Sequence, residues 1–207
     1  MAIIEKLATS LNRRDEKPNQ ELAKKIIAKK DKAAVKELIS LLDHKSKDIQ
    51  SDCIKVLYEI GEVMPSLITG YLKIFVDLLE DKNNRNIWGA MSAIDSITLE
   101  NPKQVYSNLS KIMDAAEKGS VITKDHAVSI LLKLCTVKQY EDNAFVLLIE
   151  LLQSCPTNQL PMYAENAISI ISANKKSIFI KTLRERLPEI EKETKRKRVE
   201  KVIRKLG

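Results

Sequence analysis

A chain of 207 residues is long enough for one large domain or an elongated array with a real core, and 44% apolar with 30% charged residues suits a chain in water. Five glycines, six prolines and 4% aromatics are too few for a sheet protein, which needs turn formers and β-branched or aromatic strands, so an all-α fold is predicted. The net charge of +7 sits at the ends: residues 1–36 hold 10 basic and 5 acidic side chains, residues 37–180 hold 14 and 18, and residues 181–207 hold 11 and 5.

The opening "MAIIEKLATSLNRRDEK" carries acidic residues and no long apolar run, so it does not read as a signal peptide. Ile4, Leu7 and Leu11 predict a first helix, "RRDEKPN" a connection, and Ala23, Ile26 and Ile27 a second helix. From there a step of 37 residues governs the pattern. Val35, Leu38 and Leu41 predict a helix whose counterparts are Leu72, Phe75 and Leu78, then Leu109, Ile112 and Ala115, then Val146, Ile149 and Leu152. Cys53, Val56, Leu57 and Ile60 predict the helix that follows. The same step leads to Ala90, Ala93, Ile94 and Ile97, to Ala127, Ile130, Leu131 and Leu134, and to Ala164, Ala167, Ile168 and Ile171. The first column of that set (Cys53, Ala90, Ala127, Ala164) is always small, and close helix approach is expected there. Pro65 and Pro102, also 37 apart, each stand where a helix begins. At the far end Ile180, Leu183 and Leu187, closed by Pro188, and then Val199, Val202, Ile203 and Leu206 complete a last pair. Polar turns such as "DHKSKD" and "EDKNNR" separate the partners.

A lone amphipathic pair cannot bury its apolar face, but stacked pairs share a continuous core, so the pattern predicts an α-α superhelix, or solenoid, of about six helical pairs. The expected organisation is a single repeat domain over 1–207: an N-terminal capping pair in 1–30, four central repeats in 31–173 and a basic capping pair in 174–207.

The paired helices, the period near forty and the "LLxD…DxxxxxL" cadence of Leu41 to Leu57 resemble HEAT repeats, members of the armadillo-like solenoid family. Many such repeats open the second helix with a Val-Arg pair. This chain has Ile49-Gln50 and Ile87-Trp88 there. The resemblance implies that second helices line the concave side. The columns facing that side are Ser51, Trp88, Asp125 and Met162; Lys55, Ser92, Ser129 and Asn166; and Glu59, Ser96, Lys133 and Ile170. These are small, polar and of mixed charge. That suits a protein or peptide partner held by a few anchors, whereas nucleic acid calls for a one-signed stripe of Lys and Arg. The candidate partner-binding residues are therefore Trp88, Lys55, Ser92, Asp125, Ser129, Lys133, Met162 and Asn166. Trp88, the single tryptophan, reads either as an anchor for a partner or as packing at a repeat boundary.

The run "KRKRVEKVIRK" defines a basic patch of Lys195, Arg196, Lys197, Arg198, Lys201 and Arg204. It reads either as a site for an acidic partner or as the solvated face of the last helix. No catalytic, cofactor or metal site is expected. The three cysteines are odd in number and not closely spaced, and the two histidines, His44 and His126, stand alone on helix and turn. No apolar run is long enough to span a membrane, and a reducing, cytoplasmic setting is expected. The expected function is a non-catalytic protein-interaction scaffold that binds on the concave face of the second helices. The resemblance leaves two alternatives of other classes. The first is nucleic-acid binding in the manner of the HEAT-like alkylpurine DNA glycosylases, which work with an aromatic and an aspartate on a basic concave face; here Trp88 and Asp125 share a column but the arginines are missing from it. The second, ranked below it, is a cofactor-related helper like the HEAT-like proteins that act on bilins, for which the sequence has no distinctive Cys or His cluster.

Overall fold

The computed structural model describes residues 2–207, and among them twelve α-helices and no strand are found. The chain forms two compact units, residues up to Ala127 and Val128–Gly207.

The first unit opens with a 3-10 turn, Ile4–Lys6, followed by irregular turns instead of a helix. Leu7 is fully buried, but Leu11, expected on the same stripe, is 47% exposed. The chain breaks away at Asn12, which takes a left-handed φ of 53°. Then come α1 (Lys17–Lys29) and α2 (Lys32–Ser40), the latter extended by a 3-10 turn at Leu41–Asp43. Lys30 ends α1 at φ 49°, letting the N–H of Asp31 reach the carbonyl of Ile26 at 3.0 Å. Asp31 then caps α2 by accepting the N–H of Ala34 at 3.0 Å. Next are α3 (Lys47–Val63), α4 (Leu72–Asp77), α5 (Asn84–Ile97), α6 (Pro102–Ser107), α7 (Leu109–Lys118) and α8 (Val121–Cys135), of which the residues up to Ala127 belong to the first unit and those from Val128 to the second. The side chains of Ser46, Asn83 and Asn101 cap α3, α5 and α6. Pro65 and Pro102 both occupy first-turn positions, where the missing N–H costs nothing. The second unit carries α9 (Glu141–Ser154), α10 (Leu160–Ala167), α11 (Lys176–Arg186) and α12 (Glu193–Leu206).

The second-helix stripes form the core. Cys53, Val56, Leu57 and Ile60 are fully buried, as are Ala90, Ala93, Ile94 and Ile97, and Ala127, Ile130, Leu131 and Leu134. In the fourth set Ile168 is only half-buried, because α10 stops at Ala167 and the chain tightens into a 3-10 turn, Ile168–Ile170. In the first unit α3 lies between α1 and α5; in the second α12 packs on α10 and α11, and α11 on α9.

The first-helix stripes depart from expectation. Leu41, Leu78 and Ala115 are only half-buried, while their neighbours Leu42, Leu79 and Ala116 are buried. A step of six residues carries a side chain off the helix face, whereas a step of seven keeps it there, so the buried set is 35, 38 and 42 with its counterparts 72, 75, 79 and 109, 112, 116. In the fourth first helix Val146 is 56% exposed and Phe145 is buried in its stead, while Ile149 and Leu152 are buried as expected, together with Leu148. Two of the first helices are broken: the chain before α4 runs through 3-10 turns at Pro65–Leu67 and Thr69–Tyr71, and Asn108 separates α6 from α7, its amide donating to the carbonyl of Gln104 at 2.9 Å.

Polar links between successive pairs replace the Asp–Arg contacts that a Val-Arg opening implies. Gln50 accepts from the Asn86 amide at 3.2 Å, and the same amide donates to Asp81 at 3.1 Å. Asn19 donates to Asp52 at 2.7 Å. In the second unit the buried Arg186 donates to the carbonyls of Leu152 and Cys155 at 2.6 and 2.9 Å, closing the end of α9.

Candidate functional site

A groove of about 960 Å³ runs over the first unit. Its walls come from the loop Thr9–Glu16, from the exposed sides of α3 and α5, and from Ile122 on α8. Of the candidates drawn from the sequence, Lys55, Trp88 and Ser92 line it together, with Ser51 beside them. Asp125 lies half-buried on α8, outside the groove lining, and has an interaction of its own. Ser129, Lys133, Met162 and Asn166 belong to the second unit: Ser129 and Lys133 on α8, Met162 and Asn166 on α10.

The loop is fixed by Asp52, which accepts the N–H of Thr9 and the amide of Asn19, both at 2.7 Å. Lys55 bridges Glu16 at 2.8 Å and Glu59 at 2.7 Å, and its ammonium lies 4.6 Å from the centroid of the Tyr58 ring. Burial works against the Lys55 charge, but the hydrogen bonds to Glu16 and Glu59 outweigh it and raise its pKa above the usual lysine range. Lys55 is thus a fixed post in the groove wall. Trp88 sits half-buried one turn before Ser92 on the same face of α5. Arg14 and Arg85 are exposed on the groove margin, and so is Asp48.

His126 does not stand alone. Its Nε2 lies 2.7 Å from the Ser92 hydroxyl, and its Nδ1 lies 2.9 Å from Asp95 Oδ2. Ser92 and Asp95 are one turn apart on α5, so one imidazole spans both. The His126 and Asp95 side chains are 27% and 14% exposed, while Ser92 opens on the groove. Sequence inspection of His126 by itself misses this trio. The signal that finds it is separation: residues 31 to 37 apart touch across successive pairs, and Asp95 and Ser92 precede His126 by 31 and 34.

The basic patch lies on α12. Four of its cations are engaged: Lys195 with Asn158, Arg196 with the Ile190 carbonyl, Lys197 with Glu193, and Arg198 in a two-pronged bond to Glu165 at 2.6 and 2.9 Å. Lys201 and Arg204 are exposed. The cysteines are free and buried, and burial pushes their thiols up, Cys53 to about 12 and Cys135 to about 11. Among the described residues no group of three or more His, Cys, Asp or Glu is placed to hold a metal ion, and no helix is long and apolar enough to cross a membrane.

No protein-family model matches the chain, and no curated protein sequence does. Solved structures do match. A designed armadillo repeat protein in complex with the peptide (KR)4 superposes with a TM-score of 0.67 at 19% identity, over 99% of this chain and 98% of that one. A computationally designed armadillo repeat protein for modular peptide recognition gives 0.66 at 19%, again over 99% and 98%. An engineered protein gives 0.60 at 22%, over 99% and 100%. The chain therefore has the armadillo/HEAT-like fold, an all-α repeat solenoid.

Proposed function

We propose that the protein is a binding module, not an enzyme by trade, and that a protein or peptide segment lies along the groove of the first unit. The observation that carries this reading is the groove itself: about 960 Å³ of open concavity with Trp88 and Tyr58 half-buried in its wall among small polar groups. Aromatic surface that is held rigid and partly covered is what a partner's side chains can bury at low entropic cost. The posts around it are already fixed by Asp52 and Lys55, so little ordering is left to be done on binding. Support also comes from the designed armadillo repeat protein of the same fold that was solved in complex with a peptide. The exposed Arg14, Arg85 and Asp48 at the margin favour a segment that carries charges of both signs. Nucleic acid is disfavoured, because a phosphate backbone in the groove would run past Asp48, Asp52 and Glu16.

The test uses the single tryptophan as its own reporter. A library of displayed peptides is selected on the full chain, and the recovered peptides are titrated against Trp88 fluorescence. The expected result is saturable quenching or a spectral shift, with Trp88→Ala weakening affinity about tenfold or more, as removal of a hot-spot residue does. Peptides that bind without touching the indole signal, and equally well to the alanine variant, would move the site elsewhere.

A further inference from the structure

The trio of Ser92, His126 and Asp95 offers chemistry that binding alone does not use. Its hydrogen bonds dictate one tautomer. Asp95 can only accept, so Nδ1 of a neutral His126 carries the proton and donates to it, which leaves the Nε2 lone pair facing the Ser92 hydroxyl at 2.7 Å. A base within reach of a hydroxyl, itself oriented by a carboxylate, is the arrangement that makes a weak nucleophile reactive. Ser92 is half-buried and lines the groove. The surroundings also specify a ligand. Trp88 stands one turn before Ser92 on α5, Ile122 stands one turn before His126 on α8, and both line the groove. Two apolar side chains therefore share the groove with the hydroxyl.

We propose that Ser92 is a base-activated nucleophile that accepts the acyl group of a carboxylic ester whose apolar part lodges against Trp88 and Ile122. As Ser92 Oγ bonds to the ester carbonyl carbon, its proton passes to His126 Nε2. The bond from that carbon to the leaving oxygen then breaks, and His126 returns the proton to the departing alkoxide. The products are an acyl-serine and an alcohol, with no oxidant or reductant required. Asp95 acts as a positioning residue. Ser92 sits inside α5, where the backbone N–H groups are spent on the helix itself, so no pair of backbone donors converges on the developing oxyanion. Acylation is therefore slow by enzymatic standards, and the acyl group stays on the serine for lack of an efficient second step. The property is separate from peptide binding: a groove that takes no peptide still presents this hydroxyl, and the two experiments have different readouts.

The test treats the full chain with 4-nitrophenyl butyrate and follows both nitrophenolate release and peptide mass. The expected result is a burst approaching one equivalent, with the butyryl group on the peptide bearing Ser92. His126→Gln slows that acylation at least about a hundredfold, in keeping with the loss of a general base, and Asp95→Asn slows it too. Ser92→Ala abolishes the adduct on that peptide. Far-UV circular dichroism checks that each variant keeps its helices; should His126→Gln lose them, the Ser92→Ala comparison decides. Acylation confined to lysines, an adduct that survives in Ser92→Ala, or a folded His126→Gln protein acylated at the parent rate would each overturn the proposal.

Discussion

Gly89 shows how much a single absent methyl group can determine. It sits in mid-helix, where glycine costs about 1 kcal/mol relative to alanine, and its φ is not positive, so the backbone does not call for it. The reason lies across the interface. A Cβ at this position would stand 2.4 Å from Cγ1 and 3.0 Å from Cγ2 of Ile54, which is itself buried. The expected small column, Cys53 and Ala90, runs beside this point, and the crowding extends to Gly89, one residue before Ala90 on α5. Gly89→Ala should therefore destabilise despite its better helix propensity, by about 1–2 kcal/mol once overpacking is set against that gain. Thermal melts check this. In a double-mutant cycle Ile54→Ala should cost less in the Gly89→Ala background than in the parent, because the two side chains compete for one space. Additive losses would mean that the contact is relieved by helix movement instead.

At the scale of elements, charge pairs of different exposure hold helix to helix. In the second unit Arg198 of α12 grips Glu165 of α10 at the surface, with the two side chains 47% and 37% exposed. The hydrogen bond from Arg198 lowers the Glu165 pKa below its ordinary 4.5. A depressed carboxylate contributes stability that is present above the unfolded-state pKa and fades as pH falls through the folded one. Arg198→Gln should thus lower Tm at neutral pH by an amount worth at most about 1 kcal/mol, less in high salt, and should leave Tm unchanged once the pH is well below 4.5. A difference that persists in acid would assign the effect to packing of the arginine stem. Legibility also divides by element. The second-helix stripes can be read residue by residue, since four columns at helical spacing recur with a fixed step and nearly all their members are buried, Ile168 being the exception. The first helices are less legible because they are short and interrupted: Pro65, Gly70 and Asn108 cut them into turns, and a residue lost between the third and fourth repeats shifts Phe145 into the place expected for Val146. The N-terminal helix expected at Ile4 to Leu11 is a set of turns, held by Asn19 and, far along the chain, by Asp52, which local periodicity does not reveal.

For the whole molecule the governing fact is that tertiary contact is made with the next pair along. The polar links join residues about one repeat apart: Asn19 to Asp52, Gln50 to Asn86, Ser92 to His126, Glu141 to Lys175, Leu152 to Arg186 and Glu165 to Arg198. This is why the site was only partly legible. Lys55, Trp88 and Ser92 could be placed on one face from the repeat register, but His126 gains its meaning from partners a repeat away, and the loop carrying Arg14 lies outside the register altogether. The same fact sets how the protein should come apart. In a stack held by neighbour contacts, stability is close to a sum of unit and interface contributions, and an injury spreads only as far as coupling carries it. Phe179 of α11 is fully buried, and α11 packs on both α9 and α12. Phe179→Ala should remove about 3–5 kcal/mol from that neighbourhood by leaving a cavity. Amide hydrogen exchange, followed segment by segment, is then expected to speed up in α9 to α12 while α1 to α3 keep the parent rates. Equal acceleration from α1 to α12 would show instead that the chain opens as one cooperative body, and neighbour coupling would have to give way to a global unfolding step.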